Sequence, residues 1–166
     1  MQVFIIESII EIIIFTILVL IMSINPLNTI NDYPPEIIER CKKLNLINDE
    51  QLPMSKKVLI RKSLAAILFL IIFVYVIYRF NEARIFSSGF MISYGIWSII
   101  DWYDAFILDC LYFCHNKRFI IPGTDDLVDA YHDYMFHIKG SLIGMIIGIP
   151  VCLLVGVLIK RISIII

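Results

Sequence analysis

Residues 140–159 read GSLIGMIIGIPVCLLVGVLI, an unbroken run without a charged side chain. A helix rises about 1.5 Å per residue, so a run of this length covers the roughly 30 Å hydrocarbon core of a bilayer. Glycine stands at 140, 144, 148 and 156, and Cys152 completes the four-residue step. Small residues at that spacing clear one helix face, so that a second backbone can approach closely within lipid. The ladder marks a packing surface. It serves either one chain or, through Gly140, Gly144, Gly148 and Gly156, two copies in a homo-oligomer.

The whole chain shares this bias. Of its 166 residues, 60% are hydrophobic and 17% charged, against roughly 45–50% and about 25% in globular proteins. Mean hydropathy is +0.87. A soluble core of this size cannot hide so much apolar surface, so the lipid bilayer is the expected partner. A net charge of −1 lacks the basic balance that nucleic-acid binding needs. Cys41, Cys110, Cys114 and Cys152 form no C-x-x-C pair, and no disulfide framework is expected. The abundant isoleucine suggests AT-rich coding and a bacterial plasma membrane.

Three further spans are expected, at about 3–24, 58–78 and 85–107. The first has no basic segment before it and carries Glu7 and Glu11 within it, unlike a cleaved signal peptide. Asn25-Pro26 stops it. Ser55 is placed to cap the second span. The fold expected is all-α, a multi-pass bundle of four transmembrane helices in one membrane domain. Loops at 25–57 and 108–139 add two further helices. In the first, Pro35 opens a short helix with Ile37, Ile38, Cys41 and Leu44 on one face. That face suits either the membrane interface or other loops. In the second, Ile120-Ile121-Pro122-Gly123 reads as a turn. Thr124 then caps an amphipathic helix reaching Lys139.

Ten of the 14 Lys and Arg fall in or beside those two loops, leaving Arg79, Arg84, Lys160 and Arg161 opposite. The positive-inside rule puts the loops in the cytoplasm and both termini outside.

Polar residues inside such a chain carry the functional signal. At about 100° per residue, Tyr94, Trp97, Asp101, Asp104, Leu108, Tyr112 and His115 fall within a sector of roughly 80°. An Asp at mid-bilayer costs roughly 2.5–3.5 kcal/mol, so two on one face imply a polar site rather than lipid contact. Depth places Asp101 and Asp104 near the cytoplasmic boundary, with Asp109 beyond it.

On the helix expected over 124–139, Asp126, Asp129, Asp133 and His137 share a face. Asp129 with His132 and Asp133 with His137 have spacings that let two side chains reach one ion. The set Asp129, His132, Asp133 and His137 is the candidate metal site, for a divalent ion. H-E-x-x-H is absent. Asp101-Trp-Tyr-Asp104 also lacks the glycine and arginine of the CDP-alcohol phosphotransferase motif.

The function expected first is an enzyme acting on a lipid or other amphiphile at the cytoplasmic interface. Asp101, Asp104, Asp133 and His137 form its catalytic group. Trp97, Tyr112, His115, Lys117, Arg118 and Lys139 receive the substrate. A second reading is a transporter or channel subunit in which Glu7, Glu11 and the Asp stripe line a polar path. A third is a non-enzymatic partner subunit. Glu7 and Glu11 lie one turn apart and are expected to pair with Arg79 and Arg84.

Overall fold

A computed structural model describes residues 2–48 and 56–165. Ser55 and its expected cap lie outside them. Helix is the regular structure of the described residues, which hold no strand. In chain order they form α1 (Gln2–Met22), a 3-10 segment (Pro26–Asp32), α2 (Pro35–Lys43), α3 (Lys56–Phe80) and α4 (Phe86–Tyr103). A π-helix (Asp104–Phe113), a 3-10 turn (Lys117–Phe119), α5 (Val128–Tyr131) and α6 (Tyr134–Ile165) complete the order. Two stretches are long and apolar enough to cross a membrane, Gln2–Met22 and Val128–Ile165.

Two separate cores result. In the first, Phe73, Val74 and Ile77 of α3 pack with Ile96 of α4 and with Val155 and Ile159 of α6. Around this bundle the outward residues are apolar too: Ile6, Ile67, Leu68 and Ile146 are 58%, 56%, 60% and 67% exposed. An apolar skin of this extent marks a surface that another apolar phase or a partner covers. The backbones of α4 and α6 run antiparallel and come close where side chains are absent. A Cβ on Gly89 would lie 3.1 Å from the Gly156 Cα, and one on Gly156 would lie 2.8 Å from the Phe86 carbonyl oxygen. Helix α1 runs beside α4 in the same direction, with Phe4 against Gly95 and Thr16 Oγ1 3.0 Å from the Tyr103 hydroxyl.

The second core lies in a cap built from both long loops. Ile30, Tyr33, Ile37 and Cys41 meet Ile121 and Tyr131 there. The apolar face of α2 is thus spent on protein: Ile37 and Cys41 are fully buried, so α2 is not free to lie on a membrane surface with that face. Tyr33 donates to the Phe119 carbonyl at 3.0 Å. The Tyr131 hydroxyl accepts from the Ile121 amide at 2.9 Å and meets Thr124 Oγ1 at 2.7 Å. Burial pushes both phenols above their ordinary range, keeping them protonated. Pro122 and Gly123 form the expected turn, closed by Thr124 N to Ile121 O at 3.0 Å. Gly123 holds φ at 87°, a conformation few side chains accept.

The continuous helix expected over 124–139 is not formed. The Thr124 hydroxyl is drawn inward to the Ile121 carbonyl at 2.7 Å instead of capping a helix. A short α5 ends at Tyr131, and Asp133 Oδ1 accepts from the Phe136 amide at 3.0 Å, capping the start of α6. Asp129 and Asp133 therefore do not share a helix face with His137.

Candidate functional site

The seam between α4, the π-helix and α6 gathers the polar groups of the bundle. Its geometry follows the glycine ladder. Trp97 lies flat on Gly148, where a Cβ would come within 2.5 Å of the indole nitrogen, and Trp97 Nε1 donates to the Gly144 carbonyl at 3.2 Å. One turn further, the Asp101 carboxylate fills the space left by the missing Gly144 side chain and accepts a short hydrogen bond from the Ser141 hydroxyl. Gly140 has nothing within 4 Å of its Cβ direction. Of the two uses expected of the ladder, packing within one chain is seen at Gly144, Gly148 and Gly156, which α4 of the same chain occupies.

Below Asp101 the hydrogen bonding changes register. From Asp104 to Phe113 the helix is π, and its end is closed by Cys114 N to Asp109 O at 2.9 Å. A ladder of i→i+5 bonds stacks residues five apart, and such segments concentrate at functional sites. Asp109 therefore comes round to the face of Asp104. There its Oδ2 lies 3.1 Å from Nδ1 of His137. His137 is 6% exposed, its ring edge-on to Phe113 at 5.5 Å between centroids, and its Nε2 has no partner. Nδ1 thus faces the Asp109 carboxylate as an N–H donor does, while Nε2 is enclosed on the other side of the ring. Asp104 lies in the electrostatic field of Asp109, Asp32 and Asp101, and no hydrogen-bond donor reaches it among the described residues.

The expected site residues thus fall into two groups. Asp101, Asp104 and His137 share the seam with Trp97. The remainder are drawn elsewhere. Asp133 caps α6, and His132 Nδ1 contacts the Val128 carbonyl at 2.9 Å. Asp129 is exposed on α5. The metal set Asp129, His132, Asp133 and His137 is therefore not assembled, because the break before α6 turns its members apart. Among the described residues, no group of three His, Cys, Asp or Glu is arranged to hold a metal ion.

Tyr112 packs edge-on to Phe119 at 5.5 Å, and His115 Nε2 meets the Tyr134 hydroxyl at 2.9 Å beside the His132 ring. Lys117, Arg118 and Lys139 are exposed. Two seam residues were outside the expected catalytic group. Ser141 stands i+4 from His137, a spacing that was legible. Asp109 reaches the site only through the π register.

At the other end of α1, Glu7 is 8% exposed and accepts a short hydrogen bond from the Asn81 amide. The ion pairs expected with Arg79 and Arg84 do not form. Arg84 folds back, donating to the Tyr78 and Ala83 carbonyls at 2.6 and 2.9 Å and lying 4.0 Å over the Tyr78 ring, while Arg79 lies over Phe80. Glu7 Oε1 and Glu11 Oε2 are enclosed without hydrogen-bond partners.

No protein family, curated protein sequence or solved structure matches this chain.

Proposed function

We propose that the chain is an integral membrane protein crossing a bacterial plasma membrane four times, at about 3–24, 58–78, 85–107 and 140–159, with both termini outside. Its seam at the cytoplasmic boundary performs proton-transfer catalysis on the polar group of an amphiphile. One observation carries this reading: His137 is buried, oriented through Nδ1 by Asp109, and left with a free Nε2. A base held by a carboxylate, with its second nitrogen unspent, is the arrangement general acid–base catalysis requires. In this reading Nε2 of His137 takes or gives the proton and Asp109 fixes the tautomer. Asp101, held by Ser141, and Asp104 stabilise positive charge beside it. The exposed Lys117, Arg118 and Lys139 lie where head groups gather.

Detergent-purified protein returned to vesicles of total membrane lipid, with the lipid species followed by mass spectrometry, tests the proposal. A product should accumulate with the wild type. His137→Gln should slow it by about 10²–10⁴-fold, the range of a lost general base. Asp133→Asn should stay within a few-fold. An unchanged rate with His137→Gln would remove the catalytic reading.

A second reading, cation or proton transport, is favoured by the enclosed, partnerless oxygens of Glu7 and Glu11. Liposome flux that survives Glu7→Gln with Glu11→Gln would count against it.

A further inference from the structure

The segment Asp104–Phe113 carries two helical registers in one sequence. In its π ladder each amide reaches back five residues, which sets Asp109 on the face of Asp104 and brings Phe113 to the same imidazole. These two side chains hold His137: Asp109 Oδ2 lies 3.1 Å from Nδ1, and the Phe113 ring stands edge-on at 5.5 Å. The sequence, however, is patterned for the other register. The stripe that begins at Tyr94 and Trp97 passes through Asp101 and Asp104 and continues at the α spacing to Leu108 and Tyr112. The π turn cuts that stripe after Asp104. Leu108 stands four residues from Asp104 where Asp109 stands five, and Tyr112 precedes Phe113 in the same way.

A π segment of ten residues is long, since π turns mostly occur singly inside α-helices. Passing to the α register would not orphan its closing amide. The Cys114 N–H, now on the Asp109 carbonyl at 2.9 Å, would take that of Cys110. Little would have to change surroundings. Leu108 is already 5% exposed, and Phe106, Ile107 and Leu111, on the outer side, are apolar. What opposes the change is the cap, where the Phe113 ring lies 4.8 Å from that of Tyr33 and 5.1 Å from that of Phe119.

We infer that Asp104–Phe113 is a register switch governed by the cap: its π register presents Asp109 to His137, and its α register presents Leu108 in that place. Register shifts of helices run on the μs–ms scale, between discrete packings of one sequence. A closed cap therefore keeps the imidazole against a carboxylate, and an open one leaves it against an apolar side chain. The control of catalysis rests on the reading of His137 as the working base; the two registers do not.

Solid-state NMR of the protein in lipid vesicles, with carbon-13 in the Asp carboxyls and nitrogen-15 in the His rings, reads the register. The His137 signals are those missing from His137→Gln. In the wild type most of the Nδ1 signal should be dephased by a carboxyl carbon, in exchange with a minor component that is not. Phe113→Ala, which frees the segment from the cap, should about double that minor component. Deleting Ile107 puts Asp109 four residues after Asp104, so that the α register itself presents the carboxylate. In that chain the contact should persist and no longer respond to Phe113→Ala. A single, fully dephased His137 signal in the wild type overturns the inference, and this spectrum decides even if an altered chain fails to fold. A minor component that Phe113→Ala leaves unchanged, or loss of the contact in the folded deletion chain, overturns it equally. Two registers without lipid turnover would break the catalytic proposal alone. Turnover with one register would break only this inference.

Discussion

The bundle and the cap use the same isoleucine-rich vocabulary against two different surroundings. In the cap, α2 separates its faces: Ile37 and Cys41 are fully buried while Glu36, Lys42 and Lys43 are exposed. In the bundle, the stretch 142–159 of α6 is apolar all round, and what distinguishes its inner face there is size rather than polarity, Gly144 and Gly148 taking Asp101 and Trp97. Where a helix is apolar on every side, close packing and polar contacts select its neighbours. In the cap, exclusion of water does so. The difference teaches where to look for function. An exposed polar residue in the cap needs no explanation beyond solubility, whereas a buried one in the seam carries a desolvation cost.

Four tests break or sharpen this contrast. The largest effect is expected from Gly148→Leu, since even its Cβ would lie within 2.5 Å of the Trp97 indole nitrogen. Overpacking of this kind costs about 1–3 kcal/mol or more. Thermal unfolding in detergent should show a clear loss for it, while Gly140→Leu, facing open space, should leave the midpoint near that of the wild type.

Next comes Tyr131→Phe, which strands the buried Ile121 amide and takes from the Thr124 hydroxyl one of its two partners. A stranded buried group costs about 1–3 kcal/mol. Protease cleavage within 116–127 should accelerate with the bundle intact. If the whole protein melted in step, cap and bundle would be one cooperative unit.

A smaller, kinetic effect concerns the thiols. Burial first, then the nearby Cys110, Asp109 and Asp133, push the Cys114 thiol up to about 12. The thiolate is the nucleophile, so Cys114 should resist maleimide at pH 8 until the protein is unfolded. Rapid labelling of Cys114 in the folded state would show that the cap opens.

The smallest effect belongs to the surface bridge between α2 and the second loop, where Arg40 meets both oxygens of Asp126 at 2.9 Å. Hydrogen bonding to Arg40 holds the Asp126 carboxyl below its ordinary value. Its contribution is therefore present above that ordinary value and lost as pH falls through the lowered one. Asp126→Asn should cause a slight loss of cap stability at neutral pH, vanishing at high salt and at acid pH.

Part of the architecture was legible because apolar runs and helix periodicity leave few choices. The run 3–24 became Gln2–Met22, and the start expected at 85 became Phe86. What was missed had physical causes. The 124–139 helix was read from its cap and its period, but Thr124 had a better partner in the buried Tyr131 hydroxyl. The apolar face of α2 could not reveal whether lipid or protein would cover it. The acidic stripe was read at 3.6 residues per turn. That put Asp101 and Asp104 within one sector and set Asp109 further along the stripe, outside it, and only the wider π turn brings Asp109 to His137. Asp133 matched His137 in spacing, yet the chain breaks between α5 and α6 and Asp133 serves as a cap.

The central claim concerns one imidazole ring, and nitrogen-15 NMR of His137 in the detergent-solubilised protein reads it directly. The account predicts a proton on Nδ1 and a bare Nε2 at neutral pH, with the tautomer lost in Asp109→Asn. A proton resident on Nε2, or a ring exchanging freely with water, would contradict it.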